Sequence, residues 1–360
     1  MKATRDSYGD ALVELGEKYK NLVVLDADLA SATKTVGFKN TYPDRFFDMG
    51  IAEQDMMGTA AGLATQGKVP FASTFAMFAT GRAYDQVRNS IAYPNLNVKI
   101  AATHAGVTVG EDGATHQSLE DIALMRSMPN MVVVSPSDDA QAHFLIEEAI
   151  RHDGPVYIRL TRPATEDIYD MNYHFEFGKG IQHGDGTDAT IIATGITVSE
   201  AIKAQKELEK ENINVRVIDI HTIKPLDKDI IVKAAKETKK IITVEDHNVI
   251  GGLGTAVAEV LCENYPKEIV KLGVKDEFGK SGKWNELMEY YHITAKYIIE
   301  EVKKLSWNEK GDKRDCCANG DGGFRPGRNP PSPLALLAHI FPKFSHKIHI
   351  DFIDFKIIYW

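Results

Sequence analysis

Glu53 stands in FFDMGIAEQDMMGTAAGLATQG, residues 46–67, among Ala, Gly and Met. An ionised carboxylate taken out of water without a partner is costly. Two readings are open: a charge stabilising the start of a helix expected over 53–66, or a functional acid whose partner is not protein. FASTFAMFATGRAYDQVR, residues 71–88, sets Phe75 and Phe78 three apart, on one face of a helix if one has begun there. They are core aromatics or the wall of a site. THAGVTVGEDGATHQSLEDIA, residues 103–123, is a Gly-rich loop carrying His104, Asp112 and His116 directly after a strand. Open α/β sheets bind ligands in loops at the carboxyl ends of their strands. Imidazoles and a carboxylate there can bind substrate oxygens or move protons; each is equally at home as a hydrogen-bonded loop residue.

These residues need a frame to position them. NLVVLDAD (21–28), VPFAST (69–74), NVKIAATHA (97–105), MVVVSPS (131–137) and PVYIRLT (155–161) read as buried strands. Helices are expected between them at 53–66 and 138–151, the second with Ser or Asp available as its cap. Alternation of this kind implies a mainly parallel sheet covered on both faces. Residues 163–187 read as a connector, and a second α/β unit follows. Its strands are ATIIATG (189–195), NVRVIDI (214–220) and KIITVED (240–246), with helices near 197–211, 226–237 and 252–264 and a helical pair through WNELMEYYHITAKYIIEEVKKL. After Leu305 the alternation stops, and a Gly-, Pro- and charge-rich segment runs into an apolar, aromatic end; it reads as a non-native or disordered tail.

Composition narrows the function classes. The 360 residues are 43% hydrophobic, enough for two domains. A net charge of -9 without a basic stripe argues against nucleic acid as the main partner. No apolar run approaches the ~20 residues that span a bilayer. The first residues lack a signal-peptide core and the three cysteines form no disulfide framework, so a cytoplasmic protein is expected. Cys316 and Cys317 with His339, His346 and His349 match no zinc spacing. GGLGTA, 251–256, is an incomplete dinucleotide fingerprint, better read as a helix-start turn than as support for an NAD-linked oxidoreductase.

The blocks DADLASATKT, MGIAEQDMMGTAAGLA, STFAMF, GVTVGEDGATHQ, PNMVVVSPSD and IRLTRPA, in this order, are similar to the C-terminal half of the transketolases, from about Lys2 to Leu305. The resemblance implies two doubly wound α/β domains: a thiamine-diphosphate-type pyrimidine-binding domain over 1–165 and, after a linker at 166–187, a smaller transketolase C-terminal domain over 188–305, with the tail at 306–360. It implies that Glu53 bonds N1′ of the aminopyrimidine, that Phe78 stacks on that ring with Phe75 beside it, and that Glu53, His104 and His116 are the catalytic group. It further implies that Arg5, His104, Asp112, His116 and Arg162 bind the substrate, the arginines through phosphate. Gly81 stands where the family often has tyrosine, so that side of the pocket is expected to be less filled. Ala32 stands where a phosphate-binding serine is common, leaving Ser31 or Thr33 as substitutes.

The family's diphosphate and its magnesium or calcium are held by a Gly-Asp-Gly motif with a later asparagine, on an upstream domain. HGDGTD at 183–188 precedes a strand as a turn, and NGDGG at 319–323 lies in the tail, so neither is expected to bind metal. The chain is therefore expected to be one subunit of a split enzyme, pairing with an N-terminal subunit as an α2β2 heterotetramer. The alternatives are a deoxyxylulose-phosphate synthase or 2-oxoacid dehydrogenase β subunit, against which His104 argues, and a non-catalytic module of the same fold.

Overall fold

The β-branched runs form strands in the computed structural model of the chain, which describes residues 1–311. In chain order the strands are β1 (Lys2–Ala3), β2 (Leu22–Asp26), β3 (Phe46–Asp48), β4 (Val69–Phe75), β5 (Lys99–Thr103), β6 (Val132–Val134), β7 (Val156–Arg159), β8 (Ala164–Thr165), β9 (Ile181–His183), β10 (Ala189–Ala193), β11 (Val215–Asp219), β12 (Thr222–Lys224), β13 (Lys240–Asn248) and β14 (Ile269–Val274). The first sheet has the order β12-β6-β7-β5-β4-β2-β3 and the second β14-β13-β10-β11-β9. All pairings in them are parallel except β12 on β6 and β9 on β11.

Strand alternation divides the apolar residues between two cores. Val24, Phe71, Ala101 and Ile158 pack with Tyr8, Leu12 and Leu15 of the helix Thr4–Lys18 and with Leu145 and Ile146 of the helix Asp139–Arg151. Their neighbours Val23, Leu25, Ala72, Ile100 and Tyr157 face the other way, onto Met56, Met57 and Ala60 of the helix Glu53–Thr65. Full burial of each large side chain stabilises by about 1.5–3 kcal/mol before entropy is counted. The second of these cores continues through Ile192, Ile218, Ile231 and Ile241, so the two sheets share it. A third lies on the opposite face of the second sheet, around Ile191, Val217, Val244 and Ile298.

Several local expectations meet a definite outcome. Asp138 caps its helix, accepting from the Gln141 amide at 2.9 Å. GGLGTA opens the helix Leu253–Asn264, and the Leu253 and Gly254 amides donate to Glu245 at 2.6 and 2.8 Å. The anion-binding end of that helix is thus filled by the chain's own carboxylate, which burial pushes up to about 7. HGDGTD is the turn between β9 and β10, where a side chain on Gly186 would lie 2.4 Å from the Asn214 backbone. NGDGG and the Cys316, Cys317 and tail-histidine group lie outside the described residues. The 163–187 stretch, read as a connector, carries β8 and β9, and β9 forms an edge of the second sheet. Among the described residues no helix is long and apolar enough to cross a membrane.

Candidate active site

The carboxyl edge of the first sheet gathers the candidate residues. Asp26 ends β2, Phe75 ends β4, Thr103 ends β5 with His104 next, and Arg162 follows β7. Glu53 opens the helix that follows β3. Phe75 and Phe78 share no helical face, because no helix has begun at Phe75: Phe75 closes a strand and Phe78 begins a π-helical turn, Phe78–Arg82. The sharp change of direction still stacks their rings, centroids 5.9 Å apart and planes 15° from parallel. The His104 ring stacks on Phe75 at 3.9 Å, and His116 meets Phe78 edge-on at 5.4 Å.

His104 adopts a left-handed backbone conformation, φ 59°, and is buried. Strain of that kind in a non-glycine residue is tolerated where the surroundings hold it. Its Nε2 lies 2.9 Å from a guanidinium nitrogen of Arg5. Arginine offers only donors, so Nε2 accepts, and Nδ1 carries the proton that it donates to Thr103 Oγ1 at 2.9 Å. Burial, then Arg5, Arg162, His116 and Lys34, pushes the imidazole down to about 3. Its ring is therefore expected to stay neutral between roughly pH 5 and 8, where an ordinary histidine titrates. Nitrogen chemical shifts of His104 across that range check this, and a protonation step inside it would contradict the geometry. The sign for stability follows: the unfolded chain takes up a proton near 6.5 that the folded chain refuses. The contribution of neutral His104 is thus present above 6.5 and fades as the pH falls towards 3.

The other expected substrate groups are tied to the protein in particular ways. Arg162 donates to the Val109 carbonyl and lies 3.5 Å from Glu111 and 3.7 Å from Asp112, so two of the expected substrate ligands face each other. Arg5 also donates to the Ala32 carbonyl at 3.1 Å, and its buried Nε has no protein partner. Of the two hydroxyls near Ala32, Thr33 turns inward to Asp26 at 2.6 Å, leaving Ser31 exposed. A side chain on Gly81 would approach the Met77 Cε to 2.8 Å, so Met77 takes up the room beside it.

Two braces hold the Gly-rich loop, one from far away in sequence and one from within the loop itself. Asp246, on β13 of the second sheet, accepts from the Val107 amide at 2.8 Å and the Thr108 hydroxyl at 2.7 Å. Gly106, at φ 80°, gives the carboxylate that room, since a Cβ would lie 2.1 Å from Asp246 Oδ2. Gln117 donates to the carbonyls of Val107, Gly110 and Lys280. Sequence reasoning found neither brace; the only local signal was the loop's glycine content.

Glu53 is 1% exposed and accepts from Arg82 at 3.0 Å. The same guanidinium lies 4.7 Å from the Phe78 ring centroid. In the chain by itself the carboxylate is paired with an arginine 29 residues away. Ala52 supplies no side-chain cap, so the charge in the first turn is that of Glu53 and Asp55. A cavity of about 460 Å³ is lined by Met77, Thr115, Gln117 and Phe278, among others. Its lining omits Glu53, Phe75 and His104, so the chemistry is placed by these side chains and not by the cavity. Among the described residues no group of three or more His, Cys, Asp or Glu could hold a metal ion.

The chain matches the family model for the transketolase pyrimidine binding domain over residues 1–167 and that for the transketolase C-terminal domain over 178–298. It is 52% identical over 310 residues to a Methanocaldococcus jannaschii protein described as a transketolase C-terminal section, covering 84% of this chain and 97% of that one. To the transketolase of Rattus norvegicus it is 41% identical, covering 84% of this chain and 49% of the relative, so it spans about half that length. Among solved structures it is similar to a split gene transketolase, inactive beta4 tetramer, at a TM-score of 0.79 and 51% identity, covering 84% of this chain and 98% of that one.

Proposed function

This chain belongs to the transketolase family as a C-terminal section, and we propose that it supplies the pyrimidine side of a thiamine diphosphate site that an N-terminal subunit completes. The assembled enzyme would transfer a two-carbon glycolaldehyde unit from a ketose phosphate to an aldose phosphate. One observation carries the reading: a single planar cation touches both the interior carboxylate of Glu53 and the face of Phe78. Those two side chains thus border one slot, with a proton-sharing group at its end and an aromatic wall along its side, which fits an aminopyrimidine.

The coenzyme, when bound, supplies an electron-accepting thiazolium that this chain has no side chain to replace. The protein's own residues do the rest. Glu53 holds the ring nitrogen and shares a proton with it; Phe78 and Phe75 exclude water and fix the plane of the ring. His104 stays neutral and offers its imidazole to the substrate, while His116 binds substrate oxygens and moves a proton. Arg5, with an unpartnered buried Nε, and Arg162 take the phosphate, since a planar fork meets phosphate oxygens in pairs. Asp112 meets the hydroxyl next to the carbonyl. The domains proposed are 1–165 and 188–305, joined through 166–187, and the free, exposed Cys262 agrees with a reducing, cytoplasmic setting.

The diphosphate and its magnesium or calcium fall to the partner subunit, in an α2β2 assembly. Purified alone, the chain is expected to show no ketose-to-aldose transfer and no tight thiamine diphosphate binding, with both appearing on mixing with the N-terminal subunit. A coupled transfer assay on each preparation tests this, and full activity from the lone chain would overturn it.

A further inference from the structure

We infer that Arg82 is a placeholder: in the uncomplexed chain its guanidinium fills the slot between Glu53 and Phe78 that the coenzyme's aminopyrimidine ring takes on assembly, and it must leave for that ring to enter. The inference rests on the pyrimidine site proposed above and adds a competitor built into the chain itself.

The guanidinium makes both kinds of contact that an aminopyrimidine would make here. It donates to Glu53 at 3.0 Å, and it lies over the Phe78 ring at 4.7 Å from the centroid. A guanidinium is flat, cationic and rich in N–H donors, so it can bond a carboxylate while lying against an aromatic face. The two partners differ sharply in exposure, 50% for the Arg82 side chain against 1% for Glu53. The carboxylate is therefore a fixed interior group, and the arginine reaches it from the solvent side. Without that reach Glu53 would be a buried charge with no partner, which is strongly unfavourable.

The backbone around Arg82 suits a side chain that moves. It ends the π-helical turn Phe78–Arg82, and Gly81 beside it carries no side chain to hold the arginine in place. Turns with this extra residue are frequent at functional sites. Swinging the arginine outward exchanges its carboxylate for water and breaks no backbone hydrogen bond. The coenzyme ring then has to displace a contact that the chain already makes, which weakens its apparent affinity for the lone chain.

The test uses the full-length chain by itself and the aminopyrimidine half of thiamine, as its aminomethyl derivative, which needs neither the diphosphate site nor a metal. Binding is read by calorimetry or saturation-transfer NMR. Arg82→Met should bind this fragment about tenfold more tightly than the native chain, the size expected for losing one half-exposed ion pair and one cation–π contact. Arg82→Lys, which keeps the charge but not the flat fork, should fall between them. Glu53→Gln should lose binding in both the native and the Arg82→Met backgrounds. Thermal denaturation supplies the folding control: Arg82→Met should melt below the native chain, and adding Glu53→Gln should restore much of the loss because both charges are then gone. Should Arg82→Met not fold, Arg82→Gln serves in its place.

Equal or weaker fragment binding by Arg82→Met, with Glu53 still required, overturns the placeholder and leaves the pyrimidine site standing. Binding that survives Glu53→Gln undamaged removes the site itself. Absence of fragment binding from every variant at millimolar concentration also counts against the placeholder.

Discussion

Glu53→Gln is expected to reduce transfer by the assembled enzyme about 10²–10⁴-fold, the range found when a positioned proton-transfer group is lost. The amide keeps the volume of the carboxylate and still offers an oxygen to Arg82, so the helix Glu53–Thr65 and its packing through Met56 and Met57 should persist. What it cannot do is share a proton with a heterocyclic nitrogen. The rival explanation, a lost charge at a helix start, is worth only about 0.3–1 kcal/mol. That would appear as a small drop in melting temperature and not as a loss of turnover. Measuring both on one preparation separates the two accounts. A variant with near-native turnover would leave Glu53 as a structural charge only.

The largest stability effect is expected away from the site, at Asp121. Its carboxylate accepts from Arg159 at 2.7 and 3.2 Å and from the Tyr157 hydroxyl at 2.7 Å, and both members of the ion pair are buried. Arg159 also donates to the Asp246 carbonyl at 2.8 Å, so the pair ties β7 of the first sheet to β13 of the second. Asp121→Ala strands an interior guanidinium and should cost about 3–5 kcal/mol in urea denaturation at neutral pH. Replacing both partners by apolar residues should recover most of that, because the penalty belongs to the unpaired charge.

The acid dependence has a definite sign. Burial alone would raise the Asp121 carboxyl, but Arg159, then His247, and the bonds from Arg159 and Tyr157 hold it below its ordinary 3.8. The unfolded chain therefore binds a proton first, so the stabilisation is present above about 3.8 and lost as the pH falls through the lower folded value. Native chain and Asp121→Ala should thus converge in stability at strongly acid pH. A gap that stays constant down to that range would show that the pair does not act through its charge.

The architecture was legible because buried parallel strands carry their signal locally. LVVLD, KIAAT and ATIIA are mostly apolar or β-branched, and each forms a strand within two residues of the expected limits. Sequence reasoning missed β14, six residues long, and otherwise strands that are short or marginal. β12, Thr222–Lys224, has three residues and joins the first sheet from a segment lying between two strands of the second. β9 is half-buried at an edge and lies in a stretch rich in Gly and Asp. The long helix Thr4–Lys18 was not called either. Its glycines weaken the helical pattern, yet Gly9 lets the Lys34 backbone approach to where a Cβ would be 2.5 Å away.

The sequence by itself determined the chemical inventory and its order: an acid in an apolar segment, two phenylalanines, a Gly-rich loop with histidines, and arginines near each end of the first unit. It also determined the alternation that makes these residues lie at strand ends. Only the tertiary structure decided the pairings. It set Arg82 on Glu53, turned Thr33 inward to Asp26, placed Asp246 under the Gly-rich loop and set Arg5 on His104. The physical reason is range. Backbone propensity and apolar period act over a few neighbouring residues, whereas these partners, Thr33 and Asp26 apart, are 29 to 139 positions apart and meet only through the lateral order of the strands. A carboxylate bonds whichever donor the completed sheet brings to it, and no window of sequence contains that choice.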